Sequence, residues 1–183
     1  MAFCAAAREN EPMKTQDTEV ETVIHRRVAA ARDGREPAVI ARLGSGWALF
    51  AQQQFVRGYC LLLPDPVVPQ LNDLSAEARS HYLQDMARLG DAVLRATNAV
   101  RINYAILGNQ EPALHAHVMP RFADEADELR TQHPWAYDWL AATPYEPAAF
   151  EELAEAIRRE LTRMGVSRPM RYAPGERVGQ PVT

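Results

Sequence analysis

"NYAILGNQEPALHAHVMPRF", residues 103–122, is two strand-like runs with a break between them. The first belongs to the β-rich stretch "VRINYAILG" (100–108), which closes on Gly108-Asn109. The second, "LHAHVMPRF" (114–122), follows a short loop carrying Pro112. Runs this close pair as neighbouring antiparallel strands joined by a loop of several residues. Side chains alternate across a strand, so Leu114, Ala116 and Val118 are expected to face the core. Ala113, His115, His117, Met119 and Arg121 then share the opposite face, and the two imidazoles stand together on one surface.

Working outward, "AVIARL" (38–43) and "WALFAQ" (47–52) read as a hairpin whose Gly44-Ser45-Gly46 linker is expected to exploit positive φ. "GYCLLLP" (58–64) reads as a central strand covered on both faces, with Cys60 as a small buried hydrophobe. The prolines of "PDPVVPQLNDL" exclude regular structure there. Ser75 caps a helix whose stripe of Tyr82, Met86, Leu89, Val93 and Ala96 runs to about Thr97. A helix is also expected near residues 20–31. The last spans about 147–164, with Pro147 in its first turn and Gly165 as its stop. Strands, a helix, then more strands without βα alternation predict an α+β fold, an antiparallel sheet with a long helix and a C-terminal helix packed on it. The expected organisation is a flexible arm over 1–20, one domain over 21–165 and an extended tail over 166–183.

The chain has 183 residues, 47% hydrophobic and 24% charged, which suits one soluble globular domain. A net charge of −4 argues against a protein that coats nucleic acid. Two cysteines exclude a disulfide framework, and no stretch has the length of a membrane span. No nucleic-acid or membrane partner is expected, and a cytoplasmic location is.

Three chemistries use adjacent strand histidines. His-x-His can grip a metal, but a third ligand is needed, and Val118, Met119, Pro120 and Arg121 follow instead of a carboxylate. Two histidines can also simply pack into a wall. As a nucleophile, an imidazole unprotonated near neutral pH needs a group holding its other nitrogen and donors around the acceptor phosphate. His117, Asn103, Asn109 and the Gly108-Asn109 backbone could supply these.

The combination Asn-Tyr-Ala, Leu-Gly-Asn, His-φ-His and Pro-Arg, with φ apolar, resembles the histidine triad (HIT) superfamily of nucleotide hydrolases and transferases. The likeness runs over roughly residues 38–122 and is densest over 103–122. It implies that His115 attacks the α-phosphate of a nucleotide and that His117 supports it near the phosphates. It places Asn103 by the phosphate or ribose, Asn109 in the loop bordering the phosphates, and Gln52 near an acidic ribose-binding position of many members. Ala113 stands where the family's first histidine would be, as in some bacterial members, and Pro64-Asp65-Pro66 replaces a basic residue and a histidine common after that strand. The implied substrates are dinucleoside polyphosphates, nucleoside phosphoramidates or related adenylated compounds, with no cofactor or metal, in a homodimer. The alternative is a nucleotide-binding protein of the same fold with little catalysis.

Overall fold

The computed structural model describes residues 21–167, so the arm expected over 1–20 and most of the tail expected over 166–183 lie outside the described residues. Helix α1 (Val23–Arg32) opens on Thr22, whose Oγ1 accepts from the His25 N–H while the Thr22 N–H donates to His25 Nδ1. Strands β1 (Val39–Arg42) and β2 (Gly46–Phe50) form the expected hairpin. The short β3 (Gln53–Gln54) leads to β4 (Cys60–Pro64), every residue of which is buried. Helix α2 (Ala76–Thr97) is capped by Ser75, whose hydroxyl accepts from the Ala78 N–H at 3.2 Å, and ends on Asn98 in the left-handed region. Strands β5 (Arg101–Ile106) and β6 (Ala116–Arg121) follow. A crossing segment then carries the single-turn α3 (Asp127–Arg130) and β7 (Thr143–Pro144), which pairs with β3. Helix α4 (Pro147–Arg163) buries Phe150, Leu153, Ala154, Ile157 and Leu161, as its spacing predicts.

The main sheet has the order β1-β2-β4-β6-β5 and is antiparallel throughout, the α+β architecture expected from the sequence. Helix α2 packs across β4, β5 and β6, and α4 packs on α2 and β1. Tyr82 fixes α2 to the sheet by donating its hydroxyl to the Leu62 carbonyl at 2.8 Å. Two of the strand ends that differ from expectation bear on the expected site residues. Strand β2 stops at Phe50, which leaves Gln52 in the link to β3, and β6 begins at Ala116, which leaves His115 just before the strand.

The hairpin glycines are also used differently from the expectation. Neither Gly44 nor Gly46 has positive φ; that conformation falls at Gly34, Gly58 and Gly165. Their role is close approach: a Cβ on Gly46 would lie 1.9 Å from the Leu63 carbonyl oxygen, and one on Gly44 would lie 2.4 Å from His81 Nε2. The α2 stripe likewise holds a charge that apolar spacing does not reveal. Asp85 is 1% exposed and accepts from the Ser45 N–H at 2.8 Å and the Ser45 hydroxyl at 2.9 Å, so it ties the hairpin turn to the helix.

Candidate active site

Strand β6 lies between β4 and β5, with His117 opposite Leu61 on one side and Ala105 on the other. His115 precedes the strand but keeps the expected face: its ring centroid is 4.8 Å from that of His117, at 69°. Two hydrogen bonds hold the approach to β6. The Leu114 N–H donates to the Val68 carbonyl, and His115 Nδ1–H donates to the Ala113 carbonyl, each at 2.8 Å. A neutral imidazole carries one proton, so with it on Nδ1 the His115 Nε2 keeps its lone pair.

His117 is set the other way round. Its Nδ1 lies 2.5 Å from the Tyr59 hydroxyl, which has no other hydrogen-bond partner among the described residues. The phenol proton therefore goes to Nδ1, and His117 carries its own proton on Nε2. Burial, then the neighbouring His115, pushes the His117 pKa down to about 4, while burial pushes the Tyr59 phenol up. With both rings neutral, the pair offers one bare Nε2 and one Nε2–H.

The other expected site residues are spread around this pair. Asn103 is opposite Met119, on the same face of β5 as Ala105, and its amide has no hydrogen-bond partner among the described residues. Because Ile106 pairs with Ala116, the 107–115 loop hangs from the His115 end of the sheet. There Gly108 and Ala113 help line a cavity of about 300 Å³ with Gln70 and Asn72, and Asn109 is exposed on the loop. Gln52 is also exposed; its backbone carbonyl accepts from the Tyr145 N–H. The histidines and Asn103 share one face, whereas Gln52 stands off the main sheet.

Sequence reading missed the groups that surround the histidines. Tyr59 is 58 positions from His117, and its only local signal is an aromatic just before a buried strand. Arg121 lies in the histidine row as expected, but it is 7% exposed and committed to structure. Its guanidinium donates to both oxygens of Glu125 and to the carbonyls of Leu129 and Gln132, and Glu125 also accepts from Tyr137 at 2.5 Å. Burial raises the Glu125 carboxyl, but hydrogen bonds from Arg121, Tyr137 and the Phe122 N–H win and hold it below its ordinary range. This clamp fixes the crossing segment beside β6, where Trp135 meets His117 edge-on at 5.7 Å.

The His117 shift has a consequence for stability. Between about pH 6.5 and pH 4 the unfolded chain protonates this ring while the folded chain does not, so stability falls as pH drops through that window. The full loss is up to about 3 kcal/mol. Asp65 and Glu125 are also held low, but their ordinary values of 3.8 and 4.5 confine their effect to more acid pH. Denaturant titrations from pH 7 to 5 are therefore expected to show a downward slope that His117→Gln flattens; equal slopes would contradict the assignment.

A HIT domain family model matches residues 38–124. The chain is similar in structure to a histidine triad protein of Bradyrhizobium japonicum, with 22% identity and a TM-score of 0.59 over 67% of this chain and 88% of that one. One from Marinobacter aquaeolei gives 18% and 0.57 over 78% and 95%. A hypothetical histidine triad nucleotide-binding protein of Sulfolobus tokodaii gives 14% and 0.55 over 69% and 85%. No curated protein matches the chain. Among the described residues no helix is long and apolar enough to cross a membrane. The matched residues 38–124 span the strands that carry and flank the two histidines, and the solved histidine triad structures share the fold around them: this part of the chain is similar to the HIT domain in sequence and in fold.

Proposed function

We propose that this protein is a nucleotide phosphohydrolase or nucleotidyl transferase that works through a nucleotidyl–His115 intermediate. The match to the HIT domain model suggests nucleotide binding or hydrolase/transferase activity. The observation that carries the finer reading is the bond from His115 Nδ1–H to the Ala113 carbonyl, which leaves Nε2 as a free nucleophile beside the His117 ring. In the first step the Nε2 lone pair attacks the α-phosphorus and a P–N bond forms. The P–O or P–N bond to the leaving group breaks, and that group departs with the electron pair and takes a proton from solvent. The His117 Nε2–H donates to a phosphate oxygen as charge builds there. Water then attacks phosphorus and loses its proton to solvent, and the P–N bond opens to release a nucleoside monophosphate and restore Nε2. With another acceptor in place of water the same steps make a transferase.

Within this reading Asn103, Asn109 and Gln52 hold the nucleotide, with Asn109 at the phosphates and Gln52 at the ribose. Ala113 leaves the surroundings of the phosphate one polar group poorer than a full triad would. Substrates are dinucleoside polyphosphates or nucleoside phosphoramidates, and the setting is cytoplasmic. The homodimer belongs to the same proposal. Strand β5 is an outer strand, with Val100, Tyr104 and Leu107 exposed along and beside it, and light scattering of the purified protein tests for a dimer mass.

Tyr59→Phe tests the part given to His117. The ring is 3% exposed, so phenylalanine keeps the packing and removes only the hydroxyl that selects the His117 proton position. We expect kcat to fall about 10-fold with KM little changed, the usual scale for losing a group that orients a site residue. Steady-state kinetics on a nucleoside phosphoramidate measures this; an unchanged kcat would remove Tyr59 from the mechanism.

A further inference from the structure

Beyond His117, on the side away from His115, the sheet and the crossing segment line an open cavity of about 530 Å³. Its lining includes Asn103, Ala105, Met119, Gln132, His133 and Trp135. We propose that this cavity is a nucleobase subsite in which Trp135 stacks on the base and Asn103 and His133 read its edge. The proposal rests on the nucleotide chemistry assigned to His115 and adds where a ring of the substrate is held.

Three observations support it. Trp135 is 40% exposed, yet its surroundings are fixed: it lies 5.8 Å from Trp139, which packs on Phe55 at 4.2 Å, and 4.7 Å from His133. The Arg121–Glu125–Tyr137 clamp anchors both ends of the segment, and Arg121 also binds the Gln132 carbonyl three residues before Trp135. An indole left open to solvent on an anchored segment is a preorganised stacking surface, because little ordering remains to be done when a ring lands on it. The polar groups are also unspent. The Asn103 amide has no partner among the described residues. His133 Nδ1 accepts from the Trp135 N–H at 3.3 Å, which leaves the proton of the neutral ring on Nε2 as a donor. A flat face together with edge donors and acceptors is what a nucleobase presents, whereas a sugar lacks the face and an aliphatic group lacks the edge.

The base could belong to the attacked nucleotide or to the leaving half of a dinucleoside polyphosphate. Calorimetry with AMP and ribose 5-phosphate on the full chain tests the subsite itself. Trp135→Ala is expected to weaken AMP about 10-fold or more and Trp135→Phe by less, with ribose 5-phosphate unchanged by either. Asn103→Ala should also weaken AMP. A parent that binds AMP no better than ribose 5-phosphate, or a Trp135→Ala variant that binds AMP like the parent, overturns the proposal. Kinetics then assigns the source. A raised KM for adenosine 5′-phosphoramidate in Trp135→Ala places the attacked nucleotide's base in the cavity. A raised KM for a diadenosine polyphosphate alone places the leaving half there, and unchanged KM values for both overturn the subsite. If AMP binds through Trp135 but no substrate turns over, the subsite stands and the hydrolase reading falls.

Discussion

Replacing His115 by alanine is expected to cut nucleotide hydrolysis by at least about 10⁴-fold, some 5.5 kcal/mol of transition-state stabilisation, while AMP affinity changes by less than about fivefold. The asymmetry follows from the proposed division of labour. Nε2 forms its bond to phosphorus only during reaction, so removing it takes away an interaction absent from the ground state. The groups proposed to hold the nucleotide are elsewhere: Asn103 on β5, Asn109 on the loop and the exposed ring of Trp135. Single-turnover kinetics with a nucleoside phosphoramidate measures the first quantity and calorimetry the second. Mass spectrometry of protein denatured in alkali during turnover should find a nucleotidyl adduct in the parent and none in the variant. His115→Gln fills more of the space left by a ring that is 8% exposed, and it guards against a folding defect being read as lost chemistry. A variant as fast as the parent removes His115 from the reaction. An inactive parent that binds AMP tightly would favour the weakly catalytic nucleotide binder instead.

The face shared by His115 and His117 was legible because it follows from a period of two, which needs no knowledge of the partner strands. The α2 and α4 stripes were legible for the same reason, with Tyr82, Leu89, Val93, Phe150 and Ile157 buried where a helical period puts them. The covering of that face was not legible. Tyr59 reaches His117 from 58 residues away, and Trp135 reaches it from a segment whose composition reads only as polar and then aromatic. Such contacts are made by topology, which a local pattern does not encode. The Pro-Arg that follows the histidines was visible, but the role of Arg121 depends on Glu125, Tyr137 and three carbonyls that gather only when the chain folds back. Gln52, a position carried over from a family pattern, is exposed and lies beyond the end of β2, where the strand period does not fix which way a side chain faces.

The second large effect concerns folding and separates two glycines that look equivalent in sequence. Gly46→Ala is expected to destabilise the protein by about 3 kcal/mol or more, lowering Tm by roughly 6–12 °C, with Gly44→Ala costing well under half of that. A Cβ on Gly46 would meet only backbone: the Leu63 oxygen at 1.9 Å, the Leu63 carbonyl carbon at 2.8 Å and Pro64 Cα at 2.8 Å. These atoms belong to β4, which is buried throughout and paired with β2 on one side and β6 on the other. Relief must come from separating two central strands, and β4 also pairs Leu61 with His117, so the strain would reach the candidate active site. At Gly44 the close atoms are His81 Nε2 at 2.4 Å and Cε1 at 2.5 Å, the far end of a side chain that is 45% exposed. That ring can rotate away, giving up a 3.7 Å contact with Asp85 while Ser45 keeps its own bonds to the same carboxylate. Thermal melts of the two variants beside the parent decide the matter. Equal losses, or a larger loss at Gly44, would mean that the β2–β4 approach is not what requires glycine in this hairpin.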